Sequence, residues 1–405
     1  MTEAAEGLGH VLPWLQLSKQ LIADGLTLQI ACPYPLRVQA EFADSGVTLK
    51  KIFFPSMHSG PNNQISSSWE EILLALGYGS QVAVAACKKQ ITDLIADFKP
   101  SIVLADYAPI ASLVARSMGI PIIQIGNGYC TPPINNQGPH WLPFQTPTEK
   151  ESSLEHAIKS SAIHAGLSLE KCLNSVFAEY AQINGRLRFS DLISNGKKRL
   201  IVCEPEFDPY KNARNFDHAR HVGFTKLPTI SRRLIDEVSL DFTNAGKKLR
   251  VLAYLKQNTE GFNEYLKQLS NIPDAMTVVL GSSAPLAQLI GRANIAFVSN
   301  PIDLESAFEV TDLFITNGGL HSLSRAITFG KPTVIVPSQA EQAATAILFR
   351  DHPLVRICPA AVNISAAVKS AALAILTPVL SPNVTVTSIT AEDQIAAEIQ
   401  CIIDS

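Results

Sequence analysis

Short apolar runs alternate with helix-patterned stretches along almost the whole chain, and this alternation constrains the fold more than any other feature. SIVLAD (101–106), PIIQIG (121–126) and RLIVCEP (199–205), with a further run at 27–32, carry little polar alternation. Such runs predict strands buried on both faces, as in parallel sheets. Helical patterns such as SQVAVAACKKQITDLIADF (80–98) separate them, so strand, helix and strand follow one another as in βαβ units. A second series runs through KLRVLAYL (248–255), MTVVLG (276–281), NIAFVS (294–299), DLFITN (312–317) and TVIVP (333–337). Between about 206 and 247 the pattern fades into polar and charged residues, which reads as an interdomain linker. A chain of 405 residues exceeds one compact core. Two doubly wound α/β domains are therefore expected, residues 1–225 and 226–390, facing a cleft that is the default ligand site. The last segment, AEDQIAAEIQCIID (391–404), predicts a helix, with 391–405 expected to pack back on the first domain.

Composition excludes several classes of function. Apolar residues at 46% and charged residues at 17% fit a globular protein with a substantial interior. A net charge of −3 without a long like-charge run argues against a nucleic-acid or anionic-membrane partner. Seven scattered cysteines without Cys-x-x-Cys spacing read as reduced core thiols, as in cytosolic proteins. The polar first residues do not pattern as a signal peptide, and the most apolar later run, 371–380, is too short to span a bilayer. A cytoplasmic location without an integral membrane segment is expected, and the sequons at Asn363 and Asn383 are read as chance.

The densest local signal is DLFITNGGLHSLSRAITFGKPTVIVPSQAEQ (312–342). A strand ends in Asn317-Gly318-Gly319 and a helix starts near His321 or Ser322. Two glycines let a ligand approach the backbone, and the uncapped N–H groups and dipole of a helix start favour a phosphate. A second strand ends at Pro337 and delivers Ser338 to Gln342 to the same sheet edge. At the other end of the chain, GLGHVLP (7–13) is a glycine turn opening into a helical pattern, with too few residues before it for a buried strand. Other features are weaker. The Pro-, Asn- and Gln-rich stretch from about 130 to 165 reads as a long irregular loop, and Tyr129, Trp141 and Phe144 are candidates for an apolar pocket or for core packing. His218 and His221 read as surface histidines in linker sequence rather than a metal pair, and Gly77-Tyr78-Gly79 reads as a turn.

Taken in order, these motifs resemble those of family 1 GT-B glycosyltransferases, which include macrolide, antibiotic and plant secondary-metabolite enzymes. The matching residues are Gly7 to Pro13, Asp106, the segment 221–224, Asn317, Gly318, Gly319, Ser322, Gly330, Pro332, Pro337, Glu341 and Gln342. The resemblance covers nearly the whole chain. It implies two Rossmann-like domains, an N-terminal one for the acceptor and a C-terminal one for a nucleotide sugar. It also implies inverting transfer of a sugar from a UDP- or dTDP-sugar to a hydroxyl of a small-molecule or lipid-like acceptor, with no metal and no cofactor. By the same resemblance His10 is the general base and Asp106 the carboxylate that orients it. Asn317, Gly318, Gly319 and Ser322 bind the diphosphate, Glu341 and Gln342 grip sugar hydroxyls, and Leu255 and Lys256 flank the donor.

The chemistry suits these residue types. An imidazole accepts a proton near neutrality, and a carboxylate partner stabilises the resulting imidazolium. Backbone N–H groups at a helix start supply positive potential to a departing diphosphate. Three positions depart from the pattern: Asn317 replaces the usual histidine, Arg325 stands where a ribose-binding glutamate is usual, and Ser299 where an aromatic base platform is usual. The alternatives are an isomerase of the NDP-sugar 2-epimerase kind, or a non-catalytic binding or activator protein on the same fold. Because the family places an apolar strand before the Gly-x-Gly-His loop, the first strand is expected to be missing here. The chain is then expected to begin at an internal methionine or to be shortened.

Overall fold

The computed structural model describes residues 1–2, 10–52, 66–134, 140–142, 153–193, 196, 198–214, 219–225, 242, 248–257, 259–281, 294–299, 302–358, 363–373 and 389–404. The chain divides into two compact units, Met1–Pro228 with Thr387–Ser405, and Thr229–Val386. Gly7, Gly9, Phe144, His218, Asn383 and most of the expected linker lie outside the described residues.

In the first unit, β1 (Gln29–Cys32) pairs in parallel with β2 (Thr48–Lys51). A second parallel group holds β3 (Val103–Asp106), β4 (Ile122–Gly126), β5 (Lys198–Ile201) and β6 (Arg220–His221), in that order. Met1 and Thr2 join the two groups. Thr2 N donates to Ala31 O at 3.0 Å, and Asp106 N donates to Met1 O at 2.9 Å. Two residues thus hold the sheet position between the ends of β1 and β3, and Thr2 is buried there. The polar composition of residues 1–6 hides this pairing, because backbone groups make it and side chains do not.

Ile123, Ile125, Leu200 and Val202 build this unit's core against Leu17 and Leu21 of the helix Trp14–Ala23 and against the C-terminal helix Ala391–Ile403. That last helix buries Ala391, Ile395, Ile399 and Ile402 on one face, the 3.6-residue period of an amphipathic helix. Thr390 and Asp393 form a capping box at its start. Each fully buried isoleucine contributes about 1.5–3 kcal/mol relative to exposure.

The second unit is a six-stranded parallel sheet in the order β12-β11-β10-β7-β8-β9. Its strands are β7 (Leu249–Tyr254), β8 (Ala275–Leu280), β9 (Ile295–Val298), β10 (Leu313–Thr316), β11 (Thr333–Ile335) and β12 (Val355–Ile357). From β7 the chain winds outward through β8 to β9, then returns to the other side of β7 with β10. The order reverses between β7 and β10, and ligands of doubly wound sheets bind beyond the carboxyl ends of strands at such a point. β8 and β10 are buried throughout, which is why they read as unbroken apolar runs.

Three expectations need correction. β2 and β12 went unmarked because both are short and expose part of their side chains. The irregular stretch after residue 130 gives way to a helix at Ser153, not near 165. The third correction concerns 206–221, which is built into the first unit rather than forming a linker. Asp208 and Arg214 are paired with side chains 0% exposed, and Arg214 also donates to Gly128 O (2.7 Å) and Thr131 O (2.5 Å). His221, read as a surface residue, has a side chain only 8% exposed that lies 2.9 Å from Asp208 Oδ2.

Burial pushes the Asp208 carboxyl up, but hydrogen bonds from His221 and Arg214 and the charge of Arg214 outweigh it and hold Asp208 below the ordinary carboxylate value. A depressed carboxylate stabilises the fold above its unfolded pKa, and that stability is lost as pH falls through the folded value. Asp208→Asn is expected to cost about 3–5 kcal/mol at pH 7, because it leaves the Arg214 charge buried without its partner. The variant is also expected to flatten the acid limb of the urea midpoint against pH. An acid limb identical to that of the parent protein would contradict this assignment.

Candidate active site

In the first unit, β3 ends at Asp106 and the helix Pro109–Ser117 begins three residues later with proline at its first position. The tight connection places Tyr107 in the left-handed region, φ 49°, which is unusual for a residue with a Cβ. His10 precedes the helix Trp14–Ala23, and its Nδ1 lies 3.2 Å from Asp106 Oδ1 and 3.3 Å from Oδ2. The histidine side chain is 18% exposed and the aspartate 7%, so the imidazole reaches solvent over a shielded carboxylate. Nδ1 is the ring nitrogen that faces the carboxylate.

Aromatic rings flank the pair. The Tyr107 ring centroid is 6.3 Å from that of His10 and 5.7 Å from that of Trp69, which also meets Tyr129 at 5.0 Å. Trp69 donates from Nε1 to Tyr210 Oη at 2.8 Å. Trp69, Tyr107, Cys130 and Gln124 line a cavity of about 20 Å³, enough for one water. The end of β4 closes against the acid: a Cβ added to Gly126 would lie 3.3 Å from Asp106 Oδ1 and 3.1 Å from Thr131 Oγ1.

In the second unit, the chain leaves β10 through Asn317, Gly318 and Gly319 and enters the helix Leu320–Thr328, which no side chain caps. Gly318 has φ 92°, and a Cβ there would approach Ile335 Cγ2 to 2.8 Å. Gly319 is different: an added Cβ would meet only Ser322 Oγ, at 3.5 Å. Ser322 turns its hydroxyl back to Gly319 O at 2.9 Å and so closes the first turn. Asn317 is buried between neighbouring strand ends. Its Oδ1 accepts from Lys256 N (2.7 Å), and its Nδ2 donates to Val336 O (2.9 Å) and Thr259 Oγ1 (3.1 Å).

The helix Ala340–Leu348 begins after β11, with Glu341 and Gln342 in its first turn. Gln342 is buried, and its Oε1 accepts from both Ser338 N and Ser338 Oγ at 2.8 Å. These bonds fix which way the amide points and leave its NH₂ as the group that can donate to a ligand. Leu255 is 1% exposed within the core, so only its backbone can face a ligand, whereas Lys256 is exposed. Arg325 lies in the last turn of its helix with Nε 3.2 Å from Glu305, and Ser299 is exposed just past β9.

The structure therefore brings Asn317, Gly318, Gly319, Ser322, Lys256 and Gln342 to the carboxyl ends of β7, β10 and β11. It adds Thr259, which sequence reasoning missed, and gives Ser338, already placed at this sheet edge, the role of holding Gln342. The Ser338 to Gln342 spacing at a helix start was the available signal for that role. Tyr107 carried none, since its backbone conformation follows from tertiary packing.

No family model and no curated protein sequence matches this chain. Solved structures do. The calicheamicin glycosyltransferase CalG4 is 17% identical with a TM-score of 0.63, covering 98% of this chain and 96% of its own. The glycosyltransferase VinC in complex with dTDP is 16% identical with a TM-score of 0.63, over 98% and 97%. The spinosyn rhamnosyltransferase SpnG complexed with thymidine diphosphate is 15% identical with a TM-score of 0.61, over 97% of each chain. Among the described residues, no helix is long and apolar enough to cross a membrane. The chain has the GT-B fold of these antibiotic and macrolide glycosyltransferases.

Proposed function

We propose that the protein is an inverting glycosyltransferase that moves a sugar from a UDP- or dTDP-sugar to a hydroxyl of a small-molecule or lipid-like acceptor. The observation that carries the reading is the His10–Asp106 pair, a partly exposed imidazole held at 3.2 Å by a shielded carboxylate. Similar structures hold thymidine diphosphate, and SpnG has also been solved with the spinosyn aglycone, which supports a donor nucleotide and an organic acceptor here. In the proposed reaction His10 Nε2 takes the proton of the acceptor hydroxyl. The oxygen forms a bond to the anomeric carbon as the bond from that carbon to the diphosphate oxygen breaks, which inverts the centre. Asp106 stabilises the imidazolium that forms.

The leaving diphosphate gathers charge, and the uncapped start of the helix Leu320–Thr328, reached through Gly318 and Gly319, offers it N–H groups and a favourable dipole. This supplies positive potential without requiring a metal. Gln342, with its carbonyl held by Ser338, donates to a sugar oxygen, and Glu341 accepts from a sugar hydroxyl. A soluble enzyme of the cytoplasm is part of the same proposal.

Gln342→Ala separates the sugar from the nucleotide. We expect affinity for the nucleotide sugar to fall about tenfold, the worth of one hydrogen bond, while affinity for the bare nucleoside diphosphate stays nearly constant. Titration calorimetry with both ligands measures it. Equal losses for the two would remove Gln342 from the sugar.

A further inference from the structure

Asn317 occupies the point where the strand order of the second unit reverses. It follows β10, and its side chain reaches both the loop after β7 and the end of β11. Every polar group of its amide is engaged. Oδ1 accepts from the Lys256 backbone N–H at 2.7 Å, and Thr259 Oγ1 lies 3.4 Å from the same oxygen. Nδ2 donates one proton to Val336 O and the other to Thr259 Oγ1. The residue is 4% exposed. Turning this amide toward a phosphate would break its bonds to the Lys256 N–H and the Val336 carbonyl, the two backbone groups through which it ties the strand ends together. A neutral amide also offers no charge to a diphosphate.

The loop that Asn317 holds does carry a charge. Lys256 is exposed, and its ammonium makes no hydrogen bond or ion pair among the described residues. Thr259 N closes a turn onto Lys256 O at 2.9 Å, and Thr259 is buried against Asn317, so the loop is pinned on both sides of Lys256.

We infer that Asn317 is a positioning residue, and that it braces the loop after β7 so that Lys256 presents its ammonium to the diphosphate of the donor. This rests on the nucleotide-sugar reading above and replaces the direct Asn317–diphosphate contact that the family resemblance implied. It assigns the missing positive charge at position 317 to a residue on the neighbouring strand end.

Two measurements on the full chain test it. The first is amide hydrogen exchange of the ligand-free protein, read at Lys256. Asn317→Ala is expected to speed exchange there at least tenfold, while Lys256→Gln, which keeps the brace, leaves it unchanged. The second is calorimetry with UDP and with dTDP. Lys256→Gln is expected to weaken binding of whichever diphosphate the parent protein takes by about 10- to 100-fold, and the gap should narrow as salt rises. Asn317→Ala should weaken binding to a similar extent, and the double variant should lose less than the product of the two, because both act through one contact.

Affinity that falls in Asn317→Ala while Lys256 exchange stays slow would overturn the proposal and make Asn317 a direct ligand. Unchanged affinity in Lys256→Gln would overturn the role of the ammonium. If Asn317→Ala does not fold, Thr259→Val removes one partner of Asn317 without opening space and should still speed exchange at Lys256; unchanged exchange there would overturn the brace. A parent protein that binds neither nucleotide would sink the functional reading, whereas the exchange experiment would still decide whether Asn317 braces the loop.

Discussion

His10→Ala is expected to slow sugar transfer to a hydroxyl by about 10²–10⁴-fold, the contribution of a well-placed general base. Donor affinity should stay almost constant, because the residue belongs to the first unit and the proposed diphosphate ligands to the second. A loss in kcat with little change in donor binding marks an interaction made in the transition state. Asp106→Asn should also slow transfer, since an amide cannot stabilise the imidazolium as a carboxylate does. Combined, the two changes should cost little more than His10→Ala alone, as both residues serve one proton transfer. Single-turnover rates of the three variants measure this. Fully multiplicative losses, or a His10→Ala protein near the parent rate, would return the pair to a structural role.

Gly318 and Gly319 are adjacent, yet their substitution is expected to fail in different ways. At Gly318 a Cβ meets Ile335 Cγ2 at 2.8 Å, and φ is 92°, so Gly318→Val carries both a clash and backbone strain. A melting temperature several degrees lower is expected, with nucleotide binding lost as a consequence. At Gly319 the same atom meets nothing closer than Ser322 Oγ at 3.5 Å, so Gly319→Val should fold with a melting temperature near that of the parent. Its isopropyl group would instead stand at the start of the uncapped helix, where the diphosphate must come close to the backbone. We expect nucleotide affinity to fall at least 100-fold, about 2.7 kcal/mol. Thermal unfolding and calorimetry on both variants separate the two outcomes. A Gly319→Val protein that binds nucleotide normally would move the diphosphate away from this helix.

Much of the second unit was legible in sequence because its central strands are buried on both faces and its turns contain glycine and proline. Leu313–Thr316 and Ala275–Leu280 read as apolar runs for that reason. Edge positions told less. Val355–Ile357 exposes part of its surface, and Met1–Thr2 pairs through backbone groups alone. Polarity misled at Asp208, Arg214 and His221, since composition does not distinguish charges in water from charges that satisfy one another inside. The two members of the candidate catalytic pair stand 96 residues apart in sequence, so no local pattern joins them; only the ordered set of motifs suggested it. Local pattern likewise marked Asn317 as a loop residue. That it ties strand ends together depends on which strands are neighbours, and this follows from the topology of the whole sheet.

Product analysis tests the central claim most directly. The protein is incubated with UDP- and dTDP-sugars in the presence and absence of a panel of hydroxylated organic acceptors, and products are followed by mass spectrometry and by NMR at the anomeric proton. The account predicts a glycoside of inverted anomeric configuration, formed in equal amount with free nucleoside diphosphate and only when donor and acceptor are both present. Epimerised sugar appearing without an acceptor, a retained anomeric centre, or nucleotide sugars that stabilise the protein without turnover would contradict it.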